Sequence, residues 1–428
     1  MKHVKITVEN GTNTEHLEGI LVKEDEKHLV LKLSSGYNIG FQKNKISKIE
    51  EIQSHKELEK EKKSHETHEK IIHGDGLPKI LILHTGGTIA SKVDYETGAV
   101  TPKFTPEELL GLFPEIKDIA KIESKLLKNM ASDDMRFSHY NLIATSIESE
   151  LNQHKDLKGI ILTQGTDTLH YTSAALSFMF ENLHVPIVIV GSQRSSDRGS
   201  SDAAMNLISA VAFIANTTLS GVFICMHESI NDDSCSILNG INARKMHSSR
   251  RDAFKQINGR PIAKVDFATK NIEYISEYPN SPLNAKGHLK VHKFNEDLKI
   301  GMVVSHPQMF AEEFDSFEKF DGLVLQGTGL GHFPINDEKE NLKIKQKIKE
   351  LASKIPLVMS VQTIGGPVNM NVYSPGRELV GLGVLGNHST LTPETSFIKL
   401  AWLLSQNLNP VEYYMKDLRG EFGIKGSE

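Results

Sequence analysis

An α/β fold class, with a small all-β module ahead of two α/β domains, follows from three features of the sequence. Short strand-like runs at regular spacing fill the first stretch of the chain, the pattern of a small barrel or sandwich. Beyond a charged stretch, apolar runs alternate with helix-length segments, the rhythm of a doubly wound parallel sheet. Two of those runs, Ile80-Leu81-Ile82-Leu83 and Ile160-Ile161-Leu162, lead into His84-Thr85-Gly86-Gly87-Thr88 and Thr163-Gln164-Gly165-Thr166-Asp167-Thr168. Both read as buried strands opening into turns at the carboxyl edge of the sheet, where open α/β folds bind their ligands.

Taken in order, the elements are these. Val4 to Val8 alternates apolar and polar residues, a turn is expected at Asn10-Gly11, and Leu17 to Val22, Leu29 to Leu33 and Tyr37 to Phe41 complete an SH3-like β-barrel module over residues 1–50. Residues 51–75 carry Lys56-Glu57-Leu58-Glu59-Lys60-Glu61-Lys62-Lys63 and almost no apolar side chains. Such a stretch has no face to bury and reads as a charged linker. A first α/β domain spans 76–285. In it Thr105-Pro106-Glu107-Glu108 offers a hydroxyl N-cap, a proline at the first helical position and a glutamate for a capping box. A helix from about Leu169 to Phe180, a strand Pro186 to Val190, a helix Asp202 to Ala215 and a strand Gly221 to Met226 continue the alternation. Residues 266–298 lose the rhythm, and Tyr278-Pro279-Asn280-Ser281-Pro282 marks an irregular crossing between lobes. The second α/β domain, 286–428, has strands at Ile300 to Val304, Gly322 to Leu325 and Pro356 to Ser360. Two helices begin at Thr392-Pro393-Glu394 and Asn409-Pro410-Val411-Glu412.

Composition narrows the function. The 428 residues are 39% hydrophobic and 24% charged, ordinary for a globular protein. No apolar run approaches the ~20 residues of a membrane helix, and the N-terminus lacks the apolar core of a secretory signal. The two cysteines, Cys225 and Cys235, form no disulfide framework, so a reducing cytoplasm is expected. A net charge of −5 argues against unaided binding of nucleic acid, which depends on neutralising phosphates.

Four places along the chain are candidates for chemistry. Thr85 stands where glycines allow close backbone approach and free amides can stabilise an oxyanion. The turn lacks the third glycine or Gly-Lys-Ser ending of a phosphate loop, so nucleotide binding is disfavoured. Thr166-Asp167 pairs a hydroxyl with a carboxylate that can bind an α-ammonium or orient a base. The plainer alternative is that Asp167 caps the helix starting at Leu169. Lys245, in Asn242-Ala243-Arg244-Lys245-Met246-His247, can remove a threonine proton if desolvated; a surface lysine in a basic stretch is the competing reading. Tyr95 lies on a polar loop able to close over a substrate. Cys225, His227, Asp232, Asp233 and Cys235 match no zinc spacing, and no metal site is expected.

Thr-Gly-Gly-Thr-Ile-Ala-Ser, a tyrosine ten residues after its first threonine, Gln-Gly-Thr-Asp-Thr and Lys-Met-His-Ser-Ser occur in this order over residues 78–428. As a set they resemble the bacterial-type L-asparaginase/glutaminase family. The resemblance implies the asparaginase fold of two Rossmann-like or flavodoxin-like α/β domains, with Thr85 as nucleophile and Thr166, Asp167 and Lys245 as a proton relay. It implies that Tyr95, Ser132 and Asp133 contact substrate, Asp133 standing where simple asparaginases often carry glutamine. A histidine, His84, before the first threonine is a departure, read as a packed strand-end residue. The appended β module, Ser192-Gln193-Arg194-Ser195-Ser196-Asp197, Arg244-Lys245-Met246-His247-Ser248-Ser249-Arg250-Arg251-Asp252-Ala253-Phe254 and Gln326-Gly327-Thr328-Gly329-Leu330-Gly331-His332 are similar to the glutaminase subunits of archaeal-type glutamyl-tRNA(Gln) amidotransferases. That likeness implies a cytoplasmic heterotetramer built on a homodimer core. This chain would bind no cofactor, while its partner, the amidotransferase E subunit, uses ATP and magnesium to convert Glu-tRNA(Gln) to Gln-tRNA(Gln). A stand-alone L-asparaginase and a non-catalytic amino-acid-binding module are the alternatives.

Overall fold

The computed structural model describes residues 3–10, 13–24, 27–33, 38–52, 76–86, 91–93, 100–102, 113–194, 200–278, 287–336 and 338–422. Tyr95, the Asn10-Gly11 turn, most of the charged linker and the helix start at Thr105-Pro106 lie outside them.

Strict alternation in the first strand is what builds the N-terminal module. Strands β1 (His3–Asn10), β2 (Asn13–Glu24), β3 (His28–Leu33), β4 (Asn38–Gln42) and β5 (Ile46–Ile52) form an antiparallel sheet in the order β4-β3-β2-β1-β5. Val4, Ile6 and Val8 turn inward and bury against Leu29 and Leu31, as a two-residue side-chain period requires. The sequence predicts four strands here; β5 is a fifth, pairing with β1 through Ile6 and Ile49.

The main sheet has eight strands. It opens with β6 (Lys79–His84), and the short pair β7 (Ser91–Val93) and β8 (Val100–Pro102) stands apart from it. Then come β9 (Lys121–Leu126), α1 (Phe137–Gln153), β10 (Leu157–Thr163), α2 (Leu169–Met179), the short β11 (Phe180–Glu181), β12 (Pro186–Val190), α3 (Ala203–Asn216) and β13 (Gly221–His227). Strands β9, β6, β10, β12 and β13 are parallel neighbours. Burial of β6, β10, β12 and β13 on both faces explains their continuous apolar runs, whereas the edge strand β9 is mostly exposed or half-buried. Leu81, Leu83, Ile160 and Leu162 pack toward α1 and α2, whereas Ile80, Ile82, Ile161 and Val188 pack toward α3.

After β13 the expected alternation with helices stops. Strands β14 (Ser234–Asn239), β17 (Ala263–Asp266) and β18 (Ile272–Tyr274) extend the sheet antiparallel. Strand β18 falls in the stretch read as irregular, because its three residues, Ile272-Glu273-Tyr274, supply no apolar run. A separate ribbon pairs β15 (Ala243–Lys245) with β16 (Phe254–Gln256).

The C-terminal region follows β19 (Lys290–Val291), which pairs with β11. It comprises β20 (Ile300–Val304), β21 (Gly322–Gly327), α4 (Lys339–Ala352), β22 (Leu357–Val361), α5 (Ser374–Gly381), α6 (Pro393–Ser405) and α7 (Pro410–Tyr413), with a three-stranded parallel sheet β20-β21-β22. The two last helices start as their capping residues dictate: Thr392 accepts from the Thr395 amide, and Asn409 from Val411. Ile398, Leu400, Ala401 and Trp402 of α6 join the same apolar cluster as α1 and α2. Helix α6 thereby bridges the two lobes. Among the described residues no helix is long and apolar enough to cross a membrane.

Candidate active site

Parallel pairing sets His84 opposite Thr163, so β6 and β10 end level with one another. Thr85 and Gln164 therefore leave the sheet side by side, about one strand spacing of ~4.8 Å apart, and Thr166 follows two residues on. Thr85 is 2% exposed. Its amide and its Oγ1 both donate to the Thr163 carbonyl, at 3.1 and 3.0 Å, and its own carbonyl accepts from the Met130 amide. The hydroxyl is thus oriented with its lone pairs unspent by these contacts. Gly86 has φ +113°, and a Cβ there would stand 2.4 Å from the Met130 carbonyl oxygen. Only glycine permits this turn.

Thr166, Asp167 and Lys245 come together. Lys245 Nζ donates to Thr166 Oγ1 at 2.8 Å and to Asp167 Oδ1 at 2.7 Å. The lysine side chain is largely buried while the Asp167 carboxylate is 62% exposed. Neither plainer alternative describes these residues. The N-cap of α2 is Thr168, without a side-chain cap, and Lys245 is turned into the site.

Ser132 is buried in a tight turn, Ser132–Asp134, whose first carbonyl accepts from Thr168 Oγ1 at 2.6 Å. A Cβ on Gly165 would approach Ser132 Oγ to 3.0 Å, so this turn lies directly against the Gly165-Thr166 segment. Asp133 occupies the same turn and is exposed.

Further residues surround this group. Gln164, which the sequence did not single out, is 2% exposed, and neither its Oε1 nor its Nε2 has a partner among the described residues. His84 is the packed strand-end residue its position suggested, gripped within the sheet by Thr163 Oγ1 at 2.8 Å and Ser124 Oγ at 3.1 Å. Burial pushes its imidazole down to about 4. His170, in the first turn of α2, is likewise pushed down to about 4 by burial. Its Nε2 lies 4.0 Å from Glu394 Oε1, which accepts from Arg244 Nε at 2.9 Å. The one local signal for this contact was the Thr-Pro-Glu start of α6. Capping chemistry accounted for that glutamate completely, so nothing pointed to a partner 150 residues earlier.

Asp232, Cys225 and Cys235 each contact other protein groups. His227 Nδ1 meets Asn206 Oδ1 at 2.6 Å and its Nε2 faces Asp232 at 3.4 Å. Both thiols are buried against Asn206.

A strand-edge threonine beside a Thr-Asp-Lys cluster, on two α/β lobes, defines the asparaginase/glutaminase class of amidohydrolases. Residues 79–279 match the family model described as asparaginase, N-terminal, and 299–414 match the glutaminase/asparaginase C-terminal domain. Among solved structures, the thermostable L-asparaginase from Thermococcus kodakarensis is 28% identical with a TM-score of 0.70, over 80% of this chain and 99% of that one. L-asparaginase I from Vibrio cholerae is 29% identical with a TM-score of 0.68, over 81% and 100%. The N-terminal module narrows the class, because residues 4–52 match the GatD N-terminal domain. The chain belongs to the GatD family, the D subunits of glutamyl-tRNA(Gln) amidotransferases. Relatives of that name are 42% identical in Pyrococcus abyssi, over 96% of this chain and 92% of theirs, and 40% identical in Methanococcus vannielii, over 97% and 94%.

Proposed function

We propose that this chain is the glutaminase component of a cytoplasmic tRNA-dependent amidotransferase, releasing ammonia from glutamine for the conversion of Glu-tRNA(Gln) to Gln-tRNA(Gln). The observation that carries the chemistry is Lys245 Nζ held between Thr166 Oγ1 and Asp167 Oδ1 at 2.8 and 2.7 Å, beside a strand edge that presents Thr85. Thr85 Oγ1 attacks the side-chain carbonyl carbon of glutamine, and its proton passes to the amide nitrogen through the Thr166–Lys245 pair. The C–N bond breaks, ammonia departs and a γ-glutamyl ester remains on Thr85. Water then attacks the ester carbonyl, the same pair takes its proton and returns one to Thr85 Oγ1 as the C–O bond breaks, and glutamate leaves. Asp167 keeps Lys245 in position and, being exposed, also meets the substrate's α-ammonium. The remaining substrate contacts are assigned to Ser132, Asp133 and Tyr95 by the family likeness.

No cofactor is assigned to this chain. ATP and magnesium are used by the partner, the amidotransferase E subunit, which binds the charged tRNA. Two copies of each protein make a heterotetramer around a homodimer of this chain. Turnover of glutamine by the full chain, with and without that partner and Glu-tRNA(Gln), tests the reading. Thr85→Val and Lys245→Met are each expected to lower kcat at least about a hundredfold, which corresponds to ~2.7 kcal/mol of barrier. Near-normal turnover by Thr85→Val would remove Thr85 from its role. High asparagine turnover that is indifferent to partner and tRNA would favour a stand-alone asparaginase.

A further inference from the structure

Lys245 reaches the site from a ribbon that pairs with no strand of the main sheet. Strand β15 has three residues and pairs with another three-residue strand, β16, in a sheet of its own. Besides ties to the N-terminal lobe, where the Asn239 amide donates to Gln256 Oε1 at 2.8 Å and Lys255 Nζ to the Glu228 carbonyl at 3.0 Å, the ribbon is anchored to the C-terminal lobe. Asn242 Nδ2 donates to the Glu421 carbonyl at 2.6 Å, Asn258 Nδ2 to the Thr390 carbonyl at 2.7 Å, and Thr395 Oγ1 to the Ile241 carbonyl. Arg244 completes the set through its 2.9 Å contact with Glu394 in the first turn of α6. Neighbouring side chains on a strand point to opposite faces. A fixed Arg244 therefore fixes the rotation of β15 about its axis, and with it the direction in which Lys245 points.

The same carboxylate faces the other half of the site. Glu394 Oε1 is 4.0 Å from His170 Nε2, and His170 lies in the first turn of the helix that follows Thr166, Asp167 and Thr168 directly. His170 Nδ1 and Glu394 Oε2 are both buried without a partner among the described residues. Glu394 is 6% exposed, yet the capping of α6 is already complete through Thr392. Its burial is accounted for by the contact with Arg244 across the lobes, not by helix capping.

We infer that Glu394 and Arg244 are positioning residues through which the C-terminal lobe aims Lys245 at Thr166 and Asp167. The inference rests on Lys245 acting in the reaction as proposed above. It assigns the C-terminal lobe a part in chemistry within a single chain.

The test uses the full-length chain with Glu394→Gln, Arg244→Met, the double variant Arg244→Met/Glu394→Gln, and Lys245→Met as reference. Thermal midpoint, kcat and KM for glutamine are measured for each. Removing one partner of a buried pair leaves the other uncompensated, whereas removing both is far less costly to stability. The double variant should therefore regain most of the thermal midpoint lost by Arg244→Met. Its kcat should stay depressed by about tenfold or more, with KM within about twofold, since an aim lost from the reacting group lowers kcat alone. If kcat returns together with stability in the double variant, or Glu394→Gln turns over normally, the pair merely compensates charge and the inference fails while the site reading stands. Normal turnover by Lys245→Met would instead overturn the site reading and the inference with it.

Discussion

His84 sits immediately before Thr85, and its ring spans three strands of the sheet. It bonds Thr163 on β10 and Ser124 on β9 from its own place on β6. The Thr163 carbonyl is also the acceptor for the Thr85 amide and hydroxyl, so the histidine helps fix the backbone on which Thr85 rests. His84→Leu keeps the bulk but orphans the buried Thr163 hydroxyl and the half-buried Ser124 hydroxyl. A destabilisation of about 1–3 kcal/mol is expected, read by urea unfolding, and a loss within error would show that these contacts contribute nothing. At this scale the sequence is informative about Thr85, Thr166, Asp167 and Lys245, since each stands in a turn or motif with its own local chemistry. It marks His84 as packed but not as the residue that ties three strands beneath Thr85, and it says nothing of Gln164. The significance of both comes from burial and cross-strand contact, which a strand-end position does not reveal.

Helix α6 shows how far element-level reasoning reaches. Thr392, Pro393 and Glu394 announce its start, and Thr392 does cap it. What they do not announce is a helix carrying Thr395, Ser396 and Lys399 all at 1% exposure or less. Lys399 is fully buried against Glu421, whose carboxylate also accepts from the Leu418 and Arg419 amides. Burial draws the Lys399 ammonium down and the Glu421 carboxyl up, each opposed by the attraction of the other. Lys399→Met leaves Glu421 buried and unpaired, and a loss of roughly 3–5 kcal/mol is expected. Chemical denaturation of the full chain would measure it; a change under ~1 kcal/mol would mean the pair is already neutral or solvated. The antiparallel extension β14-β17-β18 is missed by the sequence for a different reason. Its outer strands are short, and one of them alternates with polar residues near the sheet edge, so no apolar run marks them.

For the whole molecule, two of the three histidines buried among the described residues, His84 and His170, contribute to a loss of stability in acid. Both His84 and His170 titrate near 4 in the folded chain because burial disfavours the imidazolium. The ordinary value in an unfolded chain is about 6.5. Between these values the unfolded chain binds a proton that the folded chain refuses, so stability falls as pH drops through that window and levels off below about 4. Each histidine contributes on the order of 3 kcal/mol to this loss. Unfolding free energy measured at pH ~7 and at pH ~4.5 should differ markedly, and replacing His170 with glutamine should flatten the slope. An unchanged slope would mean that His170 is already charged when folded.

Local rules in the sequence were enough to locate many of the strands and to set where α6 and α7 begin, which strand faces turn inward in the first module, and which turns hold hydroxyls. Side-chain period, capping and turn chemistry act within a few residues, so a linear reading captures them. Which of those turns meet was decided only by the tertiary fold. Lys245 contacts Thr166 and Asp167 across 79 and 78 residues, and Arg244 contacts Glu394 across 150. Contacts at that separation depend on strand order and on how α6 crosses between the lobes. No periodicity or spacing along the chain carries that information.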